Sequence, residues 1–594
     1  VSKLSKFLHS PRIFFEDAQK KAAIRKVDSM SPEDQQRLGL IVGRLTNERH
    51  PERQKNGVEK KKPIKNNLEK DVPEIRNEDL KLAEKLLSFE VNFPVNSLQG
   101  GVAAPGLLLW PFFRHVFWVR CQAAYKGKNT ATINTSKLYI SREWQEHYSQ
   151  QLPVKTLETL PSTHCDFLFF TNLRGTEQTR INGCIYNRIT DPVFEVARTV
   201  GNAKKVEVIK TVGEISPHRV HDVDLVLPPM LRKIGYAALT DRPKDFLQRV
   251  QKHLPEANFD EKSYIECVEW FFHQRDFYLQ LLQRYNPKAV FFVGFDYHYA
   301  LVCAAKKLGI KTVDLQHGVQ AGWSPVYNHW QAIPQQGYEL LPDIFWVWGD
   351  YDANKIRENF GDDPEVCGVE PLIGGFPWLE RQKDFVDEKL PAPLLKMQSQ
   401  LLNKSGSTIN IVSEGRKKIS PVSDFGNAPS VEKNKKVGVL TLQDQTSFPS
   451  LFEKIILQSS DRIEWVIKRH PKHQGIDLSS LKGKAIYGKE VDNVSFMTLI
   501  RFADIHMTEC STAVIEADYF GVPSIVSGQQ GLLNYGDFIK QGMVFHINSS
   551  EAFENILDSA LTKVGVSRMG VVDNTQIERA LYILIGKKAK GESL

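Results

Sequence analysis

The stretch PKAVFFVGFDYHYALVCAAKKLGIKTVDLQHG (Pro287–Gly318) decides the fold. Its apolar run AVFFVGF (Ala289–Phe295) follows Pro287 and ends in a polar turn; the helical pattern YALVCAAKKLG (Tyr299–Gly309) comes next. A second apolar run, KTVDLQ (Lys311–Gln316), then ends abruptly in His317 and Gly318. Apolar strands alternating with helices predict a parallel sheet covered on both faces, and Gly309 falls where a helix ends in a left-handed glycine. An imidazole is thus delivered to the carboxyl end of a buried strand, the edge at which open parallel sheets bind ligands.

The same alternation recurs on either side. CDFLFFTNL (Cys165–Leu173) opens a first α/β region. A second contains strands VGVLTLQ (Val437–Gln443), RIEWVIKRHP (Arg462–Pro471), DIHMTE (Asp504–Glu509) and VPSIVS (Val522–Ser527), with helical patterns between them. A chain of 594 residues exceeds one ordinary core, which stops growing near about 250–300 residues. The expected class is α/β of the GT-B kind: two Rossmann-like domains facing across a cleft, with an N-terminal helical and extended extension. The expected boundaries are an amphipathic basic helix over 1–27, a flexible linker and helix over 28–95, and an N-terminal Rossmann-like acceptor domain over 96–379. A polar linker or surface insertion over 380–436 and a C-terminal nucleotide-binding domain over 437–594 complete the chain.

Composition excludes several classes. With 41% hydrophobic and 25% charged residues the chain has apolar material for two cores, which excludes wholesale disorder. The net charge of +7 sits in a few segments, and no basic face interleaved with aromatics is present, so nucleic acid is not an expected partner. Seven cysteines show no CxxC and no zinc spacing, which predicts free thiols in a reducing cytoplasm. The most apolar window, GVAAPGLLLWPFFRHVFWV (Gly101–Val119), carries two prolines, Arg114 and His115, so a membrane span is rejected in favour of a core helix beginning near Pro105. The opening segment sets Leu4, Phe7, Leu8, Phe14 and Phe15 among seven Lys/Arg. That pattern suits either peripheral contact with the cytoplasmic face of an inner membrane or packing onto the protein's own core. Glu48–Glu74, almost without large apolar residues, reads as a tether.

Anomalous polar residues gather at the predicted strand ends: Asp296 after AVFFVGF, His317 after KTVDLQ, Gln443 after VGVLTL, Lys468, Arg469, His470 and Pro471 in KRHP, and Glu509, Ser511 and Thr512 after DIHMT. Ser511 and Thr512 begin a helix, so their hydroxyls and the open backbone N–H groups suit a phosphate, and Glu516 one turn on suits ribose hydroxyls. A helix N-cap and a dipole-matched carboxylate explain the same residues without a ligand. Lys468, Arg469 and His470 at the adjacent tip add cationic or protonatable donors.

LQHG, KRHP and ECSTAVIEADYFGVPSIV, in that order at strand ends of two successive domains, resemble the GT-B glycosyltransferases that build bacterial capsules and other surface polysaccharides. The His-Pro and Ser-Thr pairs are similar to the CMP-sialic acid and Kdo transferases, and the His-Gly, His-Pro and Ser set to the CDP-glycerol glycerophosphotransferases of teichoic-acid synthesis. The resemblance implies that His470 contacts the donor phosphate and assists its departure, that Ser511 and Thr512 hold it, that Glu516 meets the ribose, and that His317 is catalytic. The implied donor is a CMP-activated ulosonic acid and the implied acceptor a capsule or lipopolysaccharide glycan, glycan or lipid-linked; no further cofactor is expected. The base motif of the sialyltransferases, two acids and a glycine, is missing from the first domain.

The base is therefore ranked among His317, Asp296 and Glu177, with helix capping as the plainer role of Asp296 and pairing with Arg174 or Arg180 that of Glu177. GWSPVYNHW (Gly322–Trp330) offers rings for stacking on an acceptor sugar or for packing. Asp362–Asp363 reads as a polar turn, so a metal-independent site is expected. The alternatives are a CDP-polyol phosphotransferase, a UDP-sugar epimerase and a non-catalytic scaffold of capsule assembly.

Overall fold

The computed structural model describes residues 78–125, 162–172, 178–181, 183–208, 219–227, 243–319, 325–361, 364–383, 394, 435–443, 447–470, 475–563 and 574–587. The basic opening segment, the tether, most of 380–436, Glu177, Asp362–Asp363 and Pro471 lie outside the described residues.

The first domain is built on a seven-stranded parallel sheet: β1 (Phe167–Asn172), β2 (Ala203–Val208), β3 (Leu225–Leu227), β4 (Ala289–Phe292), β5 (Lys311–Leu315), β6 (Ile344–Val347) and β7 (Glu370–Ile373), in the order β7-β6-β5-β4-β1-β2-β3. The second holds six parallel strands: β8 (Lys436–Thr441), β9 (Ile463–Lys468), β10 (Ala485–Ile486), β11 (Ile505–Thr508), β12 (Ser524–Ser527) and β13 (Val544–Ile547), in the order β10-β9-β8-β11-β12-β13. Each is a doubly wound sheet that reverses direction after its third strand in space, leaving a crevice between β1 and β4 and another between β8 and β11. The expected pair of Rossmann-like domains is what the chain forms.

Alternation along β4 explains how the sheet is buried on both sides. Val290 and Phe292 face a core shared with α2 (Trp110–Tyr125), α5 (Glu261–Tyr285) and α6 (Tyr299–Lys307), whereas Ala289 and Phe291 face α3 (Thr190–Val200) and the terminal helix α14 (Asn574–Leu584). The last helix thus returns to the first domain, with Ile577, Ala580 and Leu581 packed in that domain's core. Gly309 ends the turn after α6 at φ +69, as its place in the sequence suggests.

The apolar window departs from expectation in one respect. Ala104–Leu108 is extended and pairs antiparallel with Gln99–Gly100, Gly106 sits at φ +80, and the helix starts only at Trp110. The effective start signal is Pro111 rather than Pro105, because a proline in the first turn costs no hydrogen bond. Among the described residues no helix is long and apolar enough to cross a membrane.

Helix α2 is anchored through Arg114, whose guanidinium is 1% exposed. It donates to Glu90 of α1 (Glu78–Asn92) at 3.1 Å, lies 4.0 Å from the Trp330 ring, and donates to the Asn328 and His329 carbonyls. Burial lowers the Arg114 pKa and Glu90 opposes that shift, so neutralising Glu90 would strand a buried cation. Glu90→Gln is expected to cost about 3–5 kcal/mol in denaturant unfolding of the first domain. A loss below about 1 kcal/mol would show that the pair does not anchor the helix.

In the second sheet His506 is fully buried on β11 and bonds Thr441 on β8 and Ser524 on β12, each at 2.9 Å. Burial depresses its pKa from the ordinary 6.5 to about 3, so the native state holds it neutral while an unfolded chain protonates it. Stability carried by the neutral ring is complete above about pH 6.5 and lost as pH falls toward about 3. At pH 4.5 the cost is about 3 kcal/mol, on the order of 1.4 kcal/mol for each pH unit below the unfolded value. Denaturant midpoints measured from pH 7 to 4.5 should fall in the wild type and fall less in His506→Gln; parallel slopes would discard the assignment.

Candidate functional site

The first wall of the cleft is made by the tips of β4 and β5. Strand β4 ends in Gly294 at φ +77, where an added Cβ would lie 2.9 Å from Asp296 Oδ1 and 3.7 Å from His317 Cε1. Only glycine allows both the backbone turn and the approach of these two side chains. The turn is pinned from below by Asp314, buried within β5, whose carboxylate accepts from Gly294 N at 2.8 Å and Phe295 N at 3.3 Å.

Gln316 fixes the next tip. Its amide donates to Gly318 O at 2.8 Å and accepts from Trp348 N at 2.7 Å, tying the His-Gly turn to the end of β6. His317 stands between the two anchored residues with its ring 6.0 Å from that of Tyr327. Asp296 caps no helix: α6 has His298 at its N-cap, and Asp296 instead accepts from Tyr327 Oη at 3.3 Å and lies 3.5 Å from His115 Nδ1. Of the aromatic run after the His-Gly turn, Trp330 packs in the core and Tyr327 enters this wall.

The second wall is the crevice between β8 and β11. Cys510 closes its floor, its thiol donating to Gln443 Oε1 at 2.9 Å and Gln530 Oε1 at 3.3 Å. Burial, and then the charge of Glu509, push that thiol up to about 12, so it is neutral and no nucleophile. Glu509 lines the turn toward Gly528, and its carbonyl accepts from Ser527 N at 3.3 Å. Ser511 Oγ accepts from Ala513 N at 3.2 Å at the start of α11 (Ala513–Tyr519), and Tyr535 Oη donates to Ser511 O at 2.6 Å. Thr512 is the N-cap residue and makes no side-chain cap bond.

The basic tip of β9 is largely committed within its own domain. Lys468 Nζ donates to the carbonyls of Asp492 and Val494 at 2.9 and 2.5 Å. Arg469 clasps the Asp492 carboxylate through Nε at 2.9 Å and Nη2 at 2.6 Å. These bonds hold the tip that presents His470, which is half-buried. Among the described residues no three His, Cys, Asp or Glu side chains gather as a metal cluster.

The two walls meet. A Cβ added to Gly318 would be 3.8 Å from Thr512 Cγ2, so the turn carrying His317 lies within a methyl's reach of the turn carrying Ser511 and Thr512. On one flank Arg188 of the first domain lies 3.5 Å from Glu516 Oε1; burial raises the pKa of Glu516, and Arg188 lowers it. On the other, Lys355 Nζ of α7 (Asp350–Phe360) lies 2.8 Å from Asp537 of α12 (Gly528–Lys540). Sequence reasoning passed over Asp314, Gln316 and His115 as site residues, whereas Tyr327 lay within the aromatic run singled out for stacking. Asp314 carried a signal of its own, a charge in mid-strand; His115 lay hidden in a largely apolar helix.

No family model matches the chain, and no curated protein does. Among solved structures it is similar to S. aureus MnaA with UDP, at 11% identity and a TM-score of 0.42, over 73% of this chain and 100% of that one. It is similar to the Methanocaldococcus jannaschii UDP-GlcNAc 2-epimerase in complex with UDP-GlcNAc and UDP, at 12% identity and 0.38, over 70% and 98%. The wall teichoic acid polymerase TagF matches at 10% identity and 0.35, over 80% and 92%.

Gly318→Ala should leave the domain arrangement unchanged, since its methyl only reaches van der Waals contact. Gly318→Leu should wedge the walls apart and raise the radius of gyration in small-angle scattering. Identical scattering curves for the Leu variant and the wild type would mean that the two turns do not lie this close in solution.

Proposed function

We propose that the protein is a metal-independent glycosyltransferase that uses a nucleotide sugar, with a CMP-linked ulosonic acid as donor and a bacterial surface glycan as acceptor. The observation that supports this reading is the close approach of Gly318 to Thr512. It brings the turn that follows His317 up to the helix start of the second domain's crevice.

Transfer needs two things at once: a group that accepts the proton of the acceptor hydroxyl, and a site that stabilises the departing phosphate. The β4 and β5 tips supply the first. For the second, the hydroxyls of Ser511 and Thr512 and the ring of His470 face the leaving group. Lys468 and Arg469, held by Asp492, act by keeping the His470 tip in place. Glu516 remains the ribose partner of this reading, and a bound nucleotide would share it with Arg188.

Thermal shift against CMP, CDP, UDP and GDP tests the donor directly. CMP should stabilise the protein selectively, by about 2.7 kcal/mol at a hundred times its Kd, and His470→Ala together with Ser511→Ala should remove the effect. Selective stabilisation by CDP would move the reading to polyol phosphate transfer, and by UDP to epimerisation. No shift with any of the four would end the nucleotide reading.

A further inference from the structure

Helix α2 belongs to the N-terminal helical layer, yet it sends one polar side chain into the acceptor wall. His115 Nδ1 lies 3.5 Å from Asp296 Oδ2, while Asp296 Oδ1 accepts from Tyr327 Oη at 3.3 Å. The carboxylate therefore has a different partner at each oxygen, drawn from two separate segments of chain. The His115 and Asp296 side chains are only 15% and 12% exposed, so the pair is shielded from bulk water but not sealed from it. Tyr297 and Tyr299 flank the imidazole with ring centroids at 5.7 and 6.2 Å, and Tyr297 is itself 50% exposed at the cleft.

We infer that Asp296 is the proton acceptor for the acceptor hydroxyl, and that His115 and Tyr327 are the positioning residues that hold its carboxylate. The inference rests on the transfer reading above and selects one of its candidate bases. Three observations favour Asp296 over His317. It sits at the end of β4, beside the reversal of strand order where ligands of such sheets are bound. Its turn is fixed by the buried Asp314, which bonds both preceding amides. One of its oxygens accepts from Tyr327 and the other lies 3.5 Å from His115, so the carboxylate is held on both sides, as a base that must meet one hydroxyl requires.

The phenol of Tyr327 is raised well above its ordinary value, by burial first and then by the charge of Asp296, so it stays a donor to the carboxylate. The groups facing His115 are Asp296, Tyr297 and Tyr299, while the neighbouring Arg114 turns away to Glu90. In the transfer step the hydroxyl proton passes to Asp296 and the acceptor oxygen forms a bond to the anomeric carbon. The bond from that carbon to the phosphate oxygen breaks, and its electron pair leaves with the nucleotide. The proton on Asp296 is then lost to water.

The test uses the full chain and two readouts. With CMP-N-acetylneuraminic acid, CMP-Kdo, CDP-glycerol and UDP-GlcNAc as donors, nucleotide release is measured for wild type, Asp296→Asn, His115→Asn and Tyr327→Phe. Asp296→Asn should lower kcat at least a hundredfold with KM within threefold. The two positioning variants should lower kcat about tenfold with KM within threefold. Separately, carbethoxylation of His115, read by mass spectrometry at pH 6, should quicken severalfold in Asp296→Asn while exposed His253 stays constant. Unchanged His115 reactivity would overturn the pairing whatever the enzyme does. An Asp296→Asn protein with near-normal kcat would overturn the base assignment alone, whereas wild type inert toward all four donors would overturn the transfer reading.

Discussion

The close approach of Gly318 to Thr512, where an added methyl would come into van der Waals contact, is the constraint on which the rest of the site depends. Each sheet alone offers only the carboxyl edge that any doubly wound sheet offers. Joined at this point, the two edges become one crevice with chemically different walls: protonatable side chains on one side, and hydroxyls, a helix start and a neutral thiol on the other. A side chain much larger than alanine at 318 would meet Thr512 and crowd this junction.

Precision in the first wall comes from a buried charge used structurally. Asp314 is 1% exposed and would be costly without partners, yet two backbone amides satisfy it. The result is a tight turn at Gly294 that aims Asp296 and crowds it toward His317. The second wall uses the same device in reverse. Asp492 takes up the charge of Arg469, and the carbonyls of Asp492 and Val494 take up Lys468, so both cations also shape the tip.

Much of the fold was legible because burial writes itself into the chain as period and punctuation. AVFFVGF could be read as a strand closed on both faces, and Gly309 as a helix end, since one needs a continuous apolar run and the other a residue free to adopt positive φ. Strand-end polar residues were legible for the same reason. What was not legible was partnership across the chain. Nothing local says that Arg469 meets Asp492, that Arg188 meets Glu516, or that His115 on a largely apolar helix meets Asp296 some 180 residues later. The start of α2 was misplaced because two prolines competed for one signal, and only the left-handed Gly106 decides between them.

Closure of the two domains raises a question of magnitude. Of the ion pairs at its flanks, Lys355 with Asp537 is partly exposed and such a pair contributes roughly 0–1 kcal/mol, whereas Arg188 meets a buried Glu516. Burial raises the Glu516 pKa more than Arg188 lowers it, so that carboxylate is costly to bury rather than a source of closure energy. The apolar contacts point the other way. Val319 and Tyr351 of the first domain pack onto Val514, Val526 and Phe538 of the second, with the Tyr351 and Phe538 ring centroids 4.1 Å apart, while Met497 and Ile515 enter the first domain's core. At about 25 cal/mol for each Å² buried, a few such side chains outweigh both ion pairs. Apolar packing therefore holds the cleft shut, and the charges fix its register. A nucleotide that takes Glu516 from Arg188 could then enter without releasing the domains from one another.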